Sequence, residues 1–292
     1  MTFLALLTKE LRLRLRRERT IWIIVIYISL MALLGWFYVS RYTNTYNINN
    51  GFGLSEVGRT LYYLLSIVQL FLILFITPAF TATAVNSEKE RQTFDLLLCS
   101  RLTPFALVSG KLVAGLVNSL LLIAASIPLF SLVFFFGGIS PQQLLLALLI
   151  YIVTTIMLGT FGLLCSTFIP RPAVSTAITY LGGLLWLVLP LLIVFILSVT
   201  GGFQGQNQNY LYGWNPAFAL ISTFPESGIP PYHIGSLTIG IWATYSLISL
   251  VSAILFFGLS LLSVRPVYRY RPSNIPGTTS SPPKGQEGQV TA

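Results

Sequence analysis

The sequence predicts an all-α, polytopic integral membrane protein with six transmembrane helices. Charged residues make up only 9% of the 292 residues, and the mean hydropathy is +0.79. Soluble domains carry about 25% charged residues, so a water-exposed surface is excluded for most of this chain. Six stretches of 21 to 28 residues contain no Asp, Glu, Lys or Arg. Lys and Arg are concentrated in alternate segments between these stretches, as in membrane proteins of fixed orientation.

Each uncharged stretch is long enough to cross a bilayer as a helix, which takes about 20 apolar residues. A β-barrel would show alternating segments of about ten residues, whereas these stretches are apolar on every face. We predict a transmembrane domain over residues 20–264. Its spans 1 to 6 are Thr20–Ser40, Thr60–Ser87, Leu112–Phe136, Leu144–Ile169, Ala173–Thr200 and Leu237–Val264.

The basic residues predict the orientation. With the N-terminus inside, 15 of the 17 Lys and Arg residues face the cytoplasm, and only Arg41 and Arg59 lie outside. Both termini are therefore predicted to be cytoplasmic, in the plasma (inner) membrane of a bacterium. Basic residues beside a span usually orient it and contact anionic lipid headgroups, so we reject nucleic acid as a partner.

Residues 1–19 precede span 1 and show helical periodicity, with Leu4, Leu7, Leu11 and Leu15 on one face. This pattern predicts an amphipathic helix in the inner interface, in contact with membrane lipid; the alternative is a basic, frayed leader. The arginines off the apolar face, expected to point toward headgroups, are Arg12, Arg16 and Arg19.

The segments between the spans differ in length and composition. Short connections at Gly137–Gln143 and Pro170–Pro172 predict that spans 3, 4 and 5 are antiparallel neighbours. The outer loop 201–236 contains Asn215-Pro216 followed by apolar residues, which predicts a short capped helix between spans 5 and 6. The Pro- and Ser-rich cytoplasmic tail, 265–292, is predicted to be disordered.

Several activities are excluded by what the sequence lacks. The spans carry no Asp, Glu, Lys, Arg or His, which disfavours a secondary transporter. The lone histidine, His233, lies in an outer loop, and Cys99 and Cys165 have no neighbours at metal-ligand spacing. No phosphate-binding G-x-x-x-x-G-K-[ST] motif occurs. We therefore expect no enzymatic activity, no bound cofactor and no metal, and any ATP must be bound by a partner subunit.

The loop 88–111 has the most ordered pattern of charge. Ser87 and Glu90 have the spacing of a capping box, and Thr103-Pro104 has the form of a second helix start. We predict two short helical pieces along the inner face, joined by 99–102. The apolar residues Leu96, Leu97 and Leu98 then need a surface, which could be the bilayer, the N-terminal helix or a docked protein.

The run from Phe80 to Lys111 resembles the first intracellular loop of the permease (transmembrane) subunits of type-two ABC exporters. The basic N-terminus and Asn215-Pro216 also resemble that family. Gln92 stands where the family usually has glycine. The matching residues are Glu88, Glu90, Arg91, Thr93, Leu97, Leu98, Pro104, Gly110 and Lys111.

The resemblance implies a homo- or heterodimer of permease subunits, each contacted by a separate ATP-binding subunit at this loop. The expected coupling residues are Glu88, Glu90, Arg91, Gln92, Thr93, Leu96, Leu97 and Leu98. The hypothesis places their charged members toward the ATPase. Two alternatives remain open from the residues: an ordinary solvated loop, and a non-transporting membrane scaffold or assembly factor for cytoplasmic partners.

Overall fold

The computed structural model describes residues 18–45, 54–90, 104–199, 209–224, 229–234 and 237–264. Six of its helices are long and apolar enough to cross a membrane, which confirms the predicted fold class. These helices are α1 (Glu18–Thr45), α2 (Leu54–Thr81), α4 (Pro104–Phe136), α5 (Pro141–Phe168), α6 (Pro172–Val199) and α9 (Ile241–Val264). The shorter elements are the helices α3 (Asn86–Glu90), α7 (Asn209–Tyr212) and α8 (Pro216–Ile221) and the strands β1 (Tyr232–Ile234) and β2 (Leu237–Ile239).

One predicted boundary is wrong, and another lies beyond the end of its helix. Predicted span 2, Thr60–Ser87, lies within an apolar stretch from Ser55 to Glu90 that could cross a membrane, but α2 itself ends at Thr81 and a turn over 82–85 separates it from α3. Span 6 was expected to begin at Leu237, but Leu237–Ile239 pairs with Tyr232–Ile234 as an antiparallel hairpin, and α9 begins only at Ile241. An uncharged stretch indicates which residues can lie in lipid, but it does not show at which residue the helix begins or ends.

The prediction of a separate second helical piece before span 3 is also wrong. A helix does begin at Pro104, but it continues without interruption through Phe136 for 33 residues. Lys111, placed by the sequence in a loop, is therefore part of the long helix α4. The positive charge of Lys111 therefore lies within a membrane-crossing helix and not in the loop before it.

The centre of the bundle is formed by α5, which packs against α9, α2, α4 and α6. Aromatic rings fill the core between these helices, with Tyr62 and Phe130 edge-to-face at 5.7 Å and Phe130 against Tyr151 at 6.3 Å. Helix α1 packs on α2 and α4. Most of the surface of α1, α6 and α9 remains exposed in the single chain, as lipid-facing or subunit-facing helices require.

The connection between α4 and α5 is a tight turn that depends on glycine. Gly137 and Gly138 have φ angles of 79° and 85°, in the left-handed region that disfavours side chains. A Cβ on Gly138 would also lie 2.4 Å from the carbonyl oxygen of Ser55. Ser140 and Gln143 then form a capping box that starts α5. This turn fixes α4 and α5 as antiparallel neighbours.

Helix α8 is inserted at the end of the bundle opposite to α3, where it packs against α9, α5 and α2. Asn215 caps it, since its side-chain oxygen accepts from the backbone N–H of Ala217 at 2.8 Å. The amide nitrogen of the same side chain donates to the carbonyl oxygen of Leu187 in α6 at 2.7 Å. Pro190 interrupts the α6 hydrogen-bond ladder at this level. One buried side chain therefore holds both helices.

We expect Asn215→Ala to lower the free energy of unfolding by about 1–3 kcal/mol, because it removes a helix cap and an interhelical hydrogen bond. Asn215→Ser keeps a side-chain oxygen suited to capping and removes the amide that donates to Leu187, without adding a buried charge, so it separates the two contributions. Thermal unfolding in detergent micelles measures both. A Ser variant as stable as the wild type would show that the bond to α6 contributes nothing.

Candidate coupling site

Two of the predicted coupling residues, Glu88 and Glu90, lie on α3 among the described residues. The others fall outside the described residues: Arg91, Gln92, Thr93, Leu96, Leu97 and Leu98. For the predicted interfacial helix, Arg12 and Arg16 also lie outside, whereas Arg19 belongs to α1.

The two glutamates of α3 have different surroundings. The Glu88 carboxylate forms an ion pair with the ammonium group of Lys111 on α4. Their side chains are only 20% and 10% exposed, so this pair is largely withdrawn from water. Glu90 is exposed. Helix α3 therefore offers one carboxylate to the bundle and keeps another on its outer side.

The turn that precedes α3 is held by a serine of α5. The Ser166 hydroxyl oxygen accepts hydrogen bonds from the backbone N–H groups of Val85 and Asn86, at 2.9 Å and 3.1 Å. These N–H groups need an acceptor because the helical backbone hydrogen bonds are interrupted at this turn. Ser166 is fully buried, so its hydroxyl can serve in place of water. The hydroxyl of α5 therefore replaces the missing helical carbonyls.

Further bonds join this segment to α5 and α6. The Ser175 hydroxyl at the start of α6 donates to the carbonyl oxygen of Ala82 at 2.9 Å. The ammonium group of Lys89 donates to the carbonyl oxygen of Thr167, near the end of α5, at 2.6 Å. Together with Lys111, these contacts connect residues 82–90 to α4, α5 and α6 at the predicted cytoplasmic end.

The end of α2 is packed too tightly for larger residues. A Cβ on Gly162 of α5 would lie 2.4 Å from the Thr81 hydroxyl oxygen, and one on Gly115 of α4 would lie 2.8 Å from the Thr81 methyl group. Gly159 has similar contact, 2.4 Å from a methyl group of Leu116. Small residues let membrane helices approach closely. The last turn of α2 is thus wedged between α4 and α5.

Sequence reasoning did not identify Ser166, Thr167 or Ser175 as part of this site. All three flank the Pro170–Pro172 turn, which the predicted topology places on the same side of the membrane as Glu88. Their predicted position on the same side of the membrane was the one indication in the sequence that these residues could lie near Glu88. It could not show which hydroxyl meets which backbone group, because this depends on how α5 and α6 pack against the end of α2.

Six helices long and apolar enough to cross a membrane, with a charged segment bonded to the ends of several of them, indicate a multi-pass membrane protein. The model of a protein family described as ABC-2 family transporter protein matches residues 38–262, from the end of α1 through α9. The chain belongs to this family, as its first loop indicated, and is a membrane permease subunit of an ABC transporter. No curated protein matches the chain.

We expect Gly162→Ala to lower the free energy of unfolding by roughly 1–3 kcal/mol, as overpacking does, because the new methyl group collides with Thr81. The matched control is Gly258→Ala in α9, where a Cβ meets nothing within 4 Å. There alanine should be neutral or stabilising by up to about 1 kcal/mol through its helix propensity. Equal melting temperatures of the two variants in detergent would contradict the tight packing.

We expect Glu88→Lys to lower the free energy of unfolding by about 3 kcal/mol, because it sets two ammonium groups against each other in a water-poor site. The double variant Glu88→Lys with Lys111→Glu restores an ion pair and should recover a large part of this loss. A double-mutant cycle on thermal unfolding measures the coupling. Additive effects of the two changes would show that the pair does not interact.

Proposed function

We propose that this permease subunit forms the translocation path of an ATP-driven exporter as a dimer, and that the loop 88–111 couples it to a separate ATP-binding subunit. The observation that carries the proposal is the attachment of residues 82–90 to three long helices besides α2. A load applied to α3 reaches α4 through the Glu88 ion pair, and α5 and α6 through Ser166 and Ser175.

The docking face is proposed from exposure and charge. Glu90 points outward from α3, and Arg91 follows it in the chain. Complementary charges at such a rim favour encounter and register between subunits. Gln92, Thr93 and Leu96–Leu98 remain part of the proposed element through the family resemblance. Glu88 has a different role in this proposal, since its ion pair with Lys111 holds α3 in place.

The dimer is proposed to use the exposed apolar faces at the edge of the bundle. Trp36 of α1 and Phe195 of α6 are 77% and 65% exposed, although both lie in membrane-crossing helices. Such faces require lipid or another subunit as their neighbour. We place both termini in the cytoplasm, as the distribution of Lys and Arg supports. We place the complex in the plasma (inner) membrane of a bacterium.

The cargo is proposed to be apolar or amphipathic, such as a lipid, a peptide or a hydrophobic antibiotic. The six uncharged stretches offer no ionised side chain to a free ion. Apart from Lys111 near the predicted cytoplasmic end, the buried polar residues among those described carry amides and hydroxyls, such as Gln69, which accepts a hydrogen bond from the Tyr27 hydroxyl. This chemistry suits neutral or amphipathic molecules better than free ions.

The direct test is co-expression with an ATP-binding subunit, taking one encoded in a neighbouring reading frame as the first candidate. We expect the two chains to purify together in mild detergent, and ATP to drive transport of a lipid or amphipathic dye in vesicles. Co-purification without transport of any tested cargo would favour the scaffold instead. Failure of the chains to associate would contradict the coupling proposal.

Charge reversal tests the docking face. We expect Glu90→Lys to weaken ATPase association about tenfold, a change of about 1.4 kcal/mol, because it reverses an exposed charge at the rim of the interface. Glu56→Lys makes the same change at an exposed glutamate at the opposite end of α2 and serves as the control. Equal ATPase binding by both variants would exclude Glu90 from the docking face.

A further inference from the structure

Asn86, the first residue of α3, has a buried side chain without a hydrogen-bond partner among the described residues. Its exposed fraction is 0%, and neither its amide nitrogen nor its amide oxygen makes a hydrogen bond. An asparagine amide offers two donors and an acceptor oxygen. Most buried polar atoms in proteins are paired, and an unpaired one raises the free energy of the arrangement that buries it.

We propose that Asn86 is a positioning residue of the coupling cycle. Its amide is unpaired in the arrangement seen here and becomes paired in a second arrangement of α3, which movement of the ATP-binding subunit brings about. This inference rests on the proposed function and assigns to one residue the task of favouring that second arrangement.

The partner for the amide lies within the bundle. At 0% exposure, Asn86 cannot be reached by an atom of another protein while α3 keeps its position. Two polar groups of α5 are bonded to the segment that carries Asn86. Ser166 accepts from the backbone N–H of Asn86, and the carbonyl oxygen of Thr167 accepts from Lys89. A rotation of α3 that releases either group offers it to the amide.

Helix α3 is built to make such a movement. It has five residues, and the turn over 82–85 separates it from the end of α2. Side chains provide its contacts with α4 and α5, through Lys111, Ser166 and Thr167, so they can exchange without breaking a long helix. The wedge of Thr81 between Gly115 and Gly162 meanwhile keeps the end of α2 in place.

Replacing the amide with an apolar group should shift the balance between the two arrangements. Leucine is close to asparagine in size and leaves no polar group unpaired, so Asn86→Leu stabilises the arrangement seen here. The same change removes the hydrogen bonds that favour the second arrangement. Stability and transport should therefore change in opposite directions, whereas a merely structural residue would lower both when replaced.

The test uses the full complex of permease and ATP-binding subunit in vesicles. We expect Asn86→Leu to raise the melting temperature, to leave co-purification with the ATPase unchanged, and to lower transport per ATP hydrolysed about tenfold, equivalent to about 1.4 kcal/mol. The matched control is Ser260→Ala in α9, another fully buried polar group without a partner. It should raise the melting temperature and leave transport unchanged.

Two results would overturn the inference. Wild-type transport by Asn86→Leu would show that the amide has no part in coupling. Loss of both stability and transport would show that Asn86 supports only the arrangement seen here. A wild-type complex that binds its ATPase but never transports would instead contradict the proposed function, so the two failures are distinguishable.

Discussion

A backbone group that leaves its helical ladder near a bilayer must find a hydrogen-bond partner within the protein, because hydrocarbon offers none. The rest of this structure depends on that constraint. Where α2 ends, Ser166 of α5 supplies an acceptor for two backbone N–H groups, and Ser175 of α6 supplies a donor to a carbonyl. Beside Pro190, Asn215 supplies a donor to the carbonyl of Leu187. Each interrupted helix is thus joined to another element by a side-chain hydrogen bond near the interruption.

This arrangement has a mechanical consequence for the segment that carries the charges. Residues 82–90 are covalently continuous with α2 and are bonded to α4, α5 and α6. Glycines on α4 and α5 bring these helices against Thr81, so the last turn of α2 has little freedom to move by itself. A displacement of α3 would therefore disturb the bonds that this segment makes to α4, α5 and α6.

The bundle divides into a packed centre and an exposed edge. Helices α2, α4 and α5 share the aromatic core, and α8 covers that core at the end opposite to α3. The exposed apolar surface is concentrated on α1, α6 and α9. At the centre, the size and shape of each side chain are constrained, because the close-packed core does not accept a change in side-chain volume without strain. Those at the edge are constrained mainly to be apolar.

The sequence by itself determined the class of protein, the number of spans and the short turns between spans 3, 4 and 5. Absence of charge over a helix length, and proline or glycine at a turn, act locally and can be read without coordinates. It also pointed to Glu88 and Glu90, through their spacing and the family resemblance. Only the tertiary structure decided that Glu88 faces Lys111 while Glu90 faces outward, that α4 begins at Pro104 without a break, and that Ser166 closes the turn. The Glu88–Lys111 and Val85–Ser166 contacts join residues 23 and 81 positions apart, and they depend on how helices pack, which no local pattern records.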